Sequence, residues 1–171
     1  SCKVYEMEHP DVLLWAIWTL QQYAKETSRE QCRKKYGTLI QDIMNYILDR
    51  KHDNLFLHEN GLLYTNGVNK AVTWMNSTAN GRPVIPRTGY VVEVNALWYN
   101  ALRFTADLFR EAGNVIFADE LDTQAELTGK SFVEVFRNEY GYLFDYVDGY
   151  MMDWSVRPNM IFACAFDYSP L

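Results

Sequence analysis

The sequence predicts an all-α fold built from helical hairpins that pack side by side, and two observations support this class. Segments that are apolar on nearly every side alternate along the chain with segments that carry an apolar stripe on one side only. A helix that is apolar all round is usually buried, whereas a striped helix keeps an exposed face. In addition, two long polar loops each precede an all-apolar segment. In a row of hairpins this order places both loops at the same end.

The first predicted hairpin comprises residues 11–25 and residues 28–50. Residues 11–25 are apolar on nearly every side, so we expect a helix that is buried all round. Ser28 follows as an N-cap, and Gln31 occupies the partner position of a capping box. The apolar residues that follow recur at helical spacing, which predicts an amphipathic second helix.

Residues 51–93 form the first long loop. The pairs Asn60-Gly61 and Asn66-Gly67 are typical of tight turns, and the short apolar runs around them are candidates for small strands. Prolines 83 and 86 exclude a continuous helix. A loop of this length inside a compact domain is usually functional when it is not disordered.

The second predicted hairpin comprises an all-apolar helix over residues 94–112, which Gly113 ends, and a striped helix over residues 115–138. Residues 139–156 then form a second irregular loop, rich in carboxylates and aromatic rings. Pro158 opens a third all-apolar segment, which we expect to begin another buried helix.

Composition excludes several classes of function. A net charge of −6 without a stripe of Lys and Arg argues against nucleic-acid binding, and no apolar run is long enough to span a membrane. The three cysteines are far apart, which favours a reducing, cytoplasmic location over a disulfide framework. Neither the cysteines nor the three histidines have ligand spacing, so we expect no metal and no cofactor.

Residues 73–102 combine tryptophans, carboxylates, amides and arginines, as sugar-binding surfaces do. Three motifs in this run, Thr73-Trp74-Met75-Asn76, Pro86-Arg87-Thr88-Gly89 and the segment of residues 93–102, resemble the glucosidase domain of glycogen debranching enzymes, the amylo-α-1,6-glucosidase family. Shorter matches to the family lie on both sides of this run, in the family's order, over residues 11–15, 60–63, 136–139, 141–145 and 156–159. Plant-type neutral invertases carry a weaker version of the same loop, so a related invertase-like hydrolase is an alternative.

The resemblance implies an (α/α)6 toroid. Six hairpins of the size found here need roughly twice this length, so residues 1–171 are predicted to be one incomplete domain, a fragment of the toroid. Apolar faces that lack their neighbours tend to associate, and we therefore expect self-association.

The resemblance also assigns chemistry. Inverting glycoside hydrolysis needs a carboxylic acid and a carboxylate base. The family's acid is the Asp that closes Thr-Trp-Met-Asp, but this chain has Asn76 there, and the family's base lies beyond Leu171. The chain alone is therefore expected to be inactive. Three explanations of Asn76 remain open: a neighbour such as Glu93 serves as the acid, the protein is a non-catalytic α-glucan-binding module, or Asn76 is engineered or deamidates.

The remaining residues implied by the resemblance would bind an α-glucan or oligosaccharide. Those that can bond sugar hydroxyls are Asp11, Arg87, Glu93, Asn95, Asn138, Glu139, Asp145 and Arg157, and those that can stack on a sugar ring are Trp15, Trp74, Trp98 and Tyr142. Structural alternatives apply to several of them. Trp15 and Trp98 could equally be packed in the core. Arg87 and Glu93 could form an ion pair with each other, and Asp145 could cap a loop.

Overall fold

The computed structural model describes residues 9–171, and Cys2 therefore lies outside the described part. Its long helices are α1 (Val12–Glu26), α2 (Arg29–Leu48), α3 (Val92–Arg110) and α4 (Val115–Phe136). A 3-10 turn (Pro158–Ile161) leads into a short α5 (Phe162–Ala165). The predicted helices form, but the third apolar segment makes only one short helix, and Ile161, Cys164 and Ala165 on it are exposed rather than buried.

The helices form the two predicted hairpins. Ser28 accepts a hydrogen bond from the backbone N–H of Gln31 at 3.1 Å, which confirms the predicted N-cap of α2. α3 packs against α1, α2, α4 and α5, and most of its residues are buried, as predicted. The prediction that α1 is buried all round was wrong, because Trp15 and Trp18 are only half-buried and Thr19 is exposed.

A small antiparallel sheet supplements the helices. Its strands are β1 (Phe56–Leu57), β2 (Leu63–Thr65), β5 (Gly89–Val91), β6 (Tyr146–Asp148) and β7 (Met151–Met152), in the order β1-β2-β5-β6-β7. Separately, β3 (Thr78–Ala79) and β4 (Arg82–Pro83) form a hairpin. β1 and β2 confirm the predicted strands of the first loop, whereas the second loop was wrongly expected to be irregular, because it contributes β6 and β7.

The sheet joins the two long loops. β5 of the first loop pairs with β6 of the second, with Tyr90 opposite Val147. Gly89 permits this pairing, since it has a φ of 110° and a Cβ there would lie 2.2 Å from the carbonyl oxygen of Val147. The expectation that both loops lie at the same end of the helices is therefore confirmed. Among the helices of residues 9–171, none has both the length and the apolarity that crossing a membrane demands.

Candidate functional site

A buried ion network lies where the two loops meet the start of α3. Arg87 precedes β5, Glu93 lies in the first turn of α3, and Asp145 precedes β6. Their side chains are at most 2% exposed. Both terminal nitrogens of Arg87 donate to Glu93, one to each oxygen, with the Nη2–Oε2 bond at 2.6 Å. Nη2 also donates to Oδ1 of Asp145 at 3.0 Å.

The charge of Arg87 is maintained by these partners. Burial lowers the pKa of the guanidinium, but hydrogen bonding to Glu93 and the negative charges of Glu93 and Asp145 outweigh burial, so that the pKa is raised above its ordinary value. Nε lies 2.8 Å from Oδ2 of Asp145 without the alignment of a hydrogen bond. The predicted Arg87–Glu93 pair is therefore present, and it extends to a third charged residue.

Asp145 continues the network into the segment before α5. Its Oδ2 accepts a hydrogen bond from Arg157 Nη1 at 2.7 Å, and its Oδ1 accepts one from Asn159 Nδ2 at 2.7 Å. The backbone N–H of Val92 also donates to the carbonyl of Asp145 at 3.1 Å. One buried carboxylate thus holds both loops and the 3-10 turn together.

The network reaches the Thr73-Trp74-Met75 segment at three consecutive residues. Arg87 Nη1 donates to the hydroxyl of Thr73 at 3.1 Å. Asn159 accepts from the indole N–H of Trp74 at 3.1 Å, and its Nδ2 lies 3.1 Å from the Met75 sulfur. Although its nitrogen is held in this way, the Trp74 side chain is 54% exposed.

Asn76 lies at the surface directly after this anchored segment. Its backbone N–H donates to the carbonyl of Trp74 at 2.9 Å, while no residue among 9–171 hydrogen-bonds its side-chain amide. A cavity of about 310 Å³ borders it, lined by Trp74, Met75, Asn76, Ser77, Val84 and Ile85. The amide and the indole ring therefore face a space that could hold a sugar unit.

Asp11 is a third acidic group at this end of the helices. Its Oδ2 accepts a hydrogen bond from the indole N–H of Trp15 at 3.2 Å. Burial raises the pKa of Asp11 to about 6, the charge of Glu93 adds to the effect, and Trp15 and His9 oppose it. His9 in turn hydrogen-bonds the carbonyl of Ala71 at 3.1 Å, which joins the start of α1 to the loop that leads to Trp74.

Trp15, Asn95 and Trp98 belong to the packing of the helices in this structure. The Trp15 ring packs edge-on against Phe162 and Phe166, with centroids 5.6 and 6.0 Å away. Asn95 is fully buried, and its amide accepts from the N–H of Leu63 at 2.7 Å and donates to the carbonyls of Leu63 and Val91. Trp98 donates to the carbonyl of Gly61 at 3.2 Å. None of these contacts joins the ion network.

Asn138, Glu139 and Tyr142 lie in a separate part of the second loop. The Oδ1 of Asn138 accepts from the backbone N–H groups of Tyr140 and Tyr142, while its Nδ2 is buried without a partner among the described residues. Glu139 is exposed. The rings of Tyr140 and Tyr142 are nearly parallel, with centroids 6.4 Å apart, and Trp154 packs edge-on against Tyr140.

Sequence reasoning did not single out two residues of the network, Thr73 and Asn159. Both are buried polar residues inside quoted motifs, and Asn159 directly follows a helix-opening proline, which is the signal that could have identified it. The described cysteines, Cys32 and Cys164, are free. Residues 9–171 contain no group of three His, Cys, Asp or Glu side chains that could hold a metal ion.

Comparison with known proteins covers the region that contains these residues. A protein-family model described as amylo-alpha-1,6-glucosidase matches residues 5–171. A search of curated proteins finds no match. The family match includes the whole ion network, the Trp74 segment and Asn76.

Proposed function

The chain belongs to the amylo-alpha-1,6-glucosidase family, and from this premise we propose that it forms part of the sugar pocket of a glycogen-debranching glycosidase of the cytoplasm. The pocket would lie at the mouth of an (α/α)6 toroid and take an α-1,6-linked branch glucose of a glycogen-like α-glucan. The complete protein would hydrolyse this linkage by inversion only if a carboxylic acid elsewhere in it, and not Asn76, donates the proton. The observation that carries the proposal is the buried ion network, which ends at an exposed tryptophan beside Asn76.

The energetics of burial support this interpretation. Removing charged groups from water costs several kcal/mol per ion, and a buried network regains this only when its partners are well placed. Here the network anchors Thr73, Trp74 and Met75 while the indole ring of Trp74 remains in solvent. A rigid, exposed aromatic ring suits stacking against the apolar face of a sugar. The neighbouring amide of Asn76 can hydrogen-bond sugar oxygens.

The same geometry bears on proton donation. The side chain of Asn76 has no proton to give near neutral pH, and loss of a general acid costs about 10²–10⁴-fold in rate. Glu93 is a poor replacement, because it is fully buried and Arg87 occupies both of its oxygens. We therefore propose that this chain binds α-glucan without hydrolysing it.

Calorimetry with maltooligosaccharides and branched dextrins tests the binding site. The native chain should bind, and Trp74→Ala should reduce the affinity by about tenfold or more, since the stacking surface is lost. Trp154→Ala is the matched control, because Trp154 is 42% exposed but packs against Tyr140 and Phe144 instead of the network. The proposal fails if the native chain binds no glucan, or if both variants lose affinity equally.

Asn76 specifically favours a second candidate, in which the complete protein is also a non-catalytic glucan-binding relative. Replacing Asn76 with Asp in the complete protein distinguishes the two. If the remaining machinery is catalytic, glucose release from a limit dextrin should rise by about 10²-fold or more. If the protein only binds glucan, the substitution leaves hydrolysis at background, and measurable release by the 171-residue chain itself would contradict both versions.

A further inference from the structure

Asn159 stands between the ion network and the exposed loop. It is fully buried, lies in the 3-10 turn Pro158–Ile161, and uses both ends of its amide. Oδ1 accepts from the Trp74 indole at 3.1 Å, and Nδ2 donates to Oδ1 of Asp145 at 2.7 Å. Asn159 therefore links the buried carboxylate of Asp145 to the Trp74 ring, which is mostly exposed to solvent.

The chemistry of the two partners fixes the orientation of this amide. An indole N–H only donates and a carboxylate only accepts, so Oδ1 must face Trp74 and Nδ2 must face Asp145. A side chain between them needs one acceptor and one donor at a fixed separation. Asn provides both on one planar group, whereas neither Ala nor a carboxylate does.

Asp145 itself has little freedom to move. Arg87 and Arg157 contact its carboxylate from two directions, and its backbone carbonyl accepts from Val92. Pro158 restricts the backbone just before Asn159. The Oδ1 atom that Asn159 presents to Trp74 is therefore held in place by the hydrogen bond to Asp145 and by the restricted backbone at Pro158.

An exposed tryptophan without such an anchor samples several rotamers, and a ligand that needs one of them must overcome that entropy. From these contacts we infer that Asn159 is a positioning residue, which sets the plane of the Trp74 indole at the sugar site and holds Met75 beside it. It acts through Trp74 and makes no contact with sugar of its own. The sugar-binding part of this inference rests on the proposed function.

The test compares Asn159→Ala, Trp74→Phe and the double variant. Trp74→Phe keeps an aromatic ring but removes the indole N–H that donates to Asn159. Each single variant should weaken maltooligosaccharide affinity by about 5- to 10-fold, as loss of one hydrogen bond predicts. The double variant should be no weaker than Trp74→Phe alone, because both changes break the same contact. Additive losses, or no loss in Asn159→Ala, would overturn the inference.

A spectroscopic readout separates positioning from stability. Acrylamide quenching of Trp74, taken as the difference between proteins with Trp74 and with Phe at that position, should increase in Asn159→Ala because the ring gains freedom. Asn100→Ala is the matched control. Asn100 is a buried amide on α3, eight residues after the helix begins at Val92, and it donates to Gln21 at 2.7 Å. Its loss should change stability without changing Trp74 quenching.

The quenching result also distinguishes the two proposals. If the native chain binds no glucan but Asn159→Ala increases quenching of Trp74, the proposed function fails and the positioning role stands. If quenching is unchanged, the positioning role fails whatever the outcome for glucan binding.

Discussion

Arg87 contacts two carboxylates that come from different parts of the chain, Glu93 six residues away and Asp145 fifty-eight residues away. The guanidinium suits this position, because its planar fork donates to one carboxylate in a bidentate manner and still reaches a second. A lysine has a single charged nitrogen and could not make the same set of bonds. The identity of this one side chain therefore determines how the loops and α3 meet.

Asp11 makes stability depend on pH. Its pKa in the folded chain is about 6, above the ordinary value of 3.8, so the folded state holds the proton more strongly than the unfolded state. The resulting contribution to the free energy of unfolding is fully present below pH 3.8 and is lost as the pH rises through 6. The separation of the two pKa values corresponds to about 3 kcal/mol.

Urea unfolding of the native chain and of Asp11→Asn, measured from pH 4 to pH 8, checks this contribution. The Asn side chain does not titrate, so the variant should gain up to about 3 kcal/mol relative to the native chain as the pH rises across this window. The difference between the two proteins therefore reports the titration of Asp11 together with its interactions with Glu93 and His9. Parallel pH profiles would contradict the prediction.

The pairing of β5 with β6 is a backbone contact between the two long loops. It depends on Gly89, whose φ of 110° is strained for other residues and whose missing Cβ leaves room for the carbonyl of Val147. Because each strand has only three residues, few backbone hydrogen bonds hold the two strands together. Any side chain at position 89 should therefore disrupt the pairing of β5 with β6.

Gly89→Ala should lower the free energy of unfolding by about 3 kcal/mol or more, since backbone strain and a clash with backbone add together. Gly141→Ala is the matched control, because Gly141 also has a positive φ, 83°, but a Cβ there meets no atom within 4 Å. It should cost only about 1 kcal/mol. Chemical denaturation measures both, and equal losses would show that the contact with Val147 is unimportant.

Exposed hydrophobic side chains are concentrated in the second long loop and its hairpin. Tyr150 is fully exposed, Tyr140, Met151 and Val156 are largely exposed, and Met152 and Trp154 are about 40% exposed. Large apolar surfaces of this kind usually take part in association. We propose that copies of this chain self-associate through this loop.

Light scattering over a range of concentrations tests the association. The native chain should show a mass that rises with concentration, and Tyr150→Ser combined with Met151→Ser should shift it toward the 20.0 kDa monomer. Ile116→Ser is the control, since Ile116 is 78% exposed on α4, away from the loop. A native chain that stays monomeric at all concentrations would contradict the proposal.

The sequence was sufficient for the features that depend on neighbouring residues. Helical periodicity located α1 to α4 within a few residues, the Ser28 cap was correct, and the motifs around Trp74 and Glu93 indicated the family that the match over residues 5–171 shows. These features are local because helix periodicity, caps and short motifs each involve residues close together in the chain.

Only the tertiary structure decided which distant residues meet. Strands of two or three residues are too short for an alternating pattern; β1 and β2 were predicted from apolar runs beside Asn-Gly turns, whereas β6 and β7 were not predicted. The bond between Trp74 and Asn159 spans eighty-five residues, and nothing in the sequence pairs these two side chains before the fold brings them together. Burial of Asn159 then removes water as a competitor for its amide, which must find its partners within the protein.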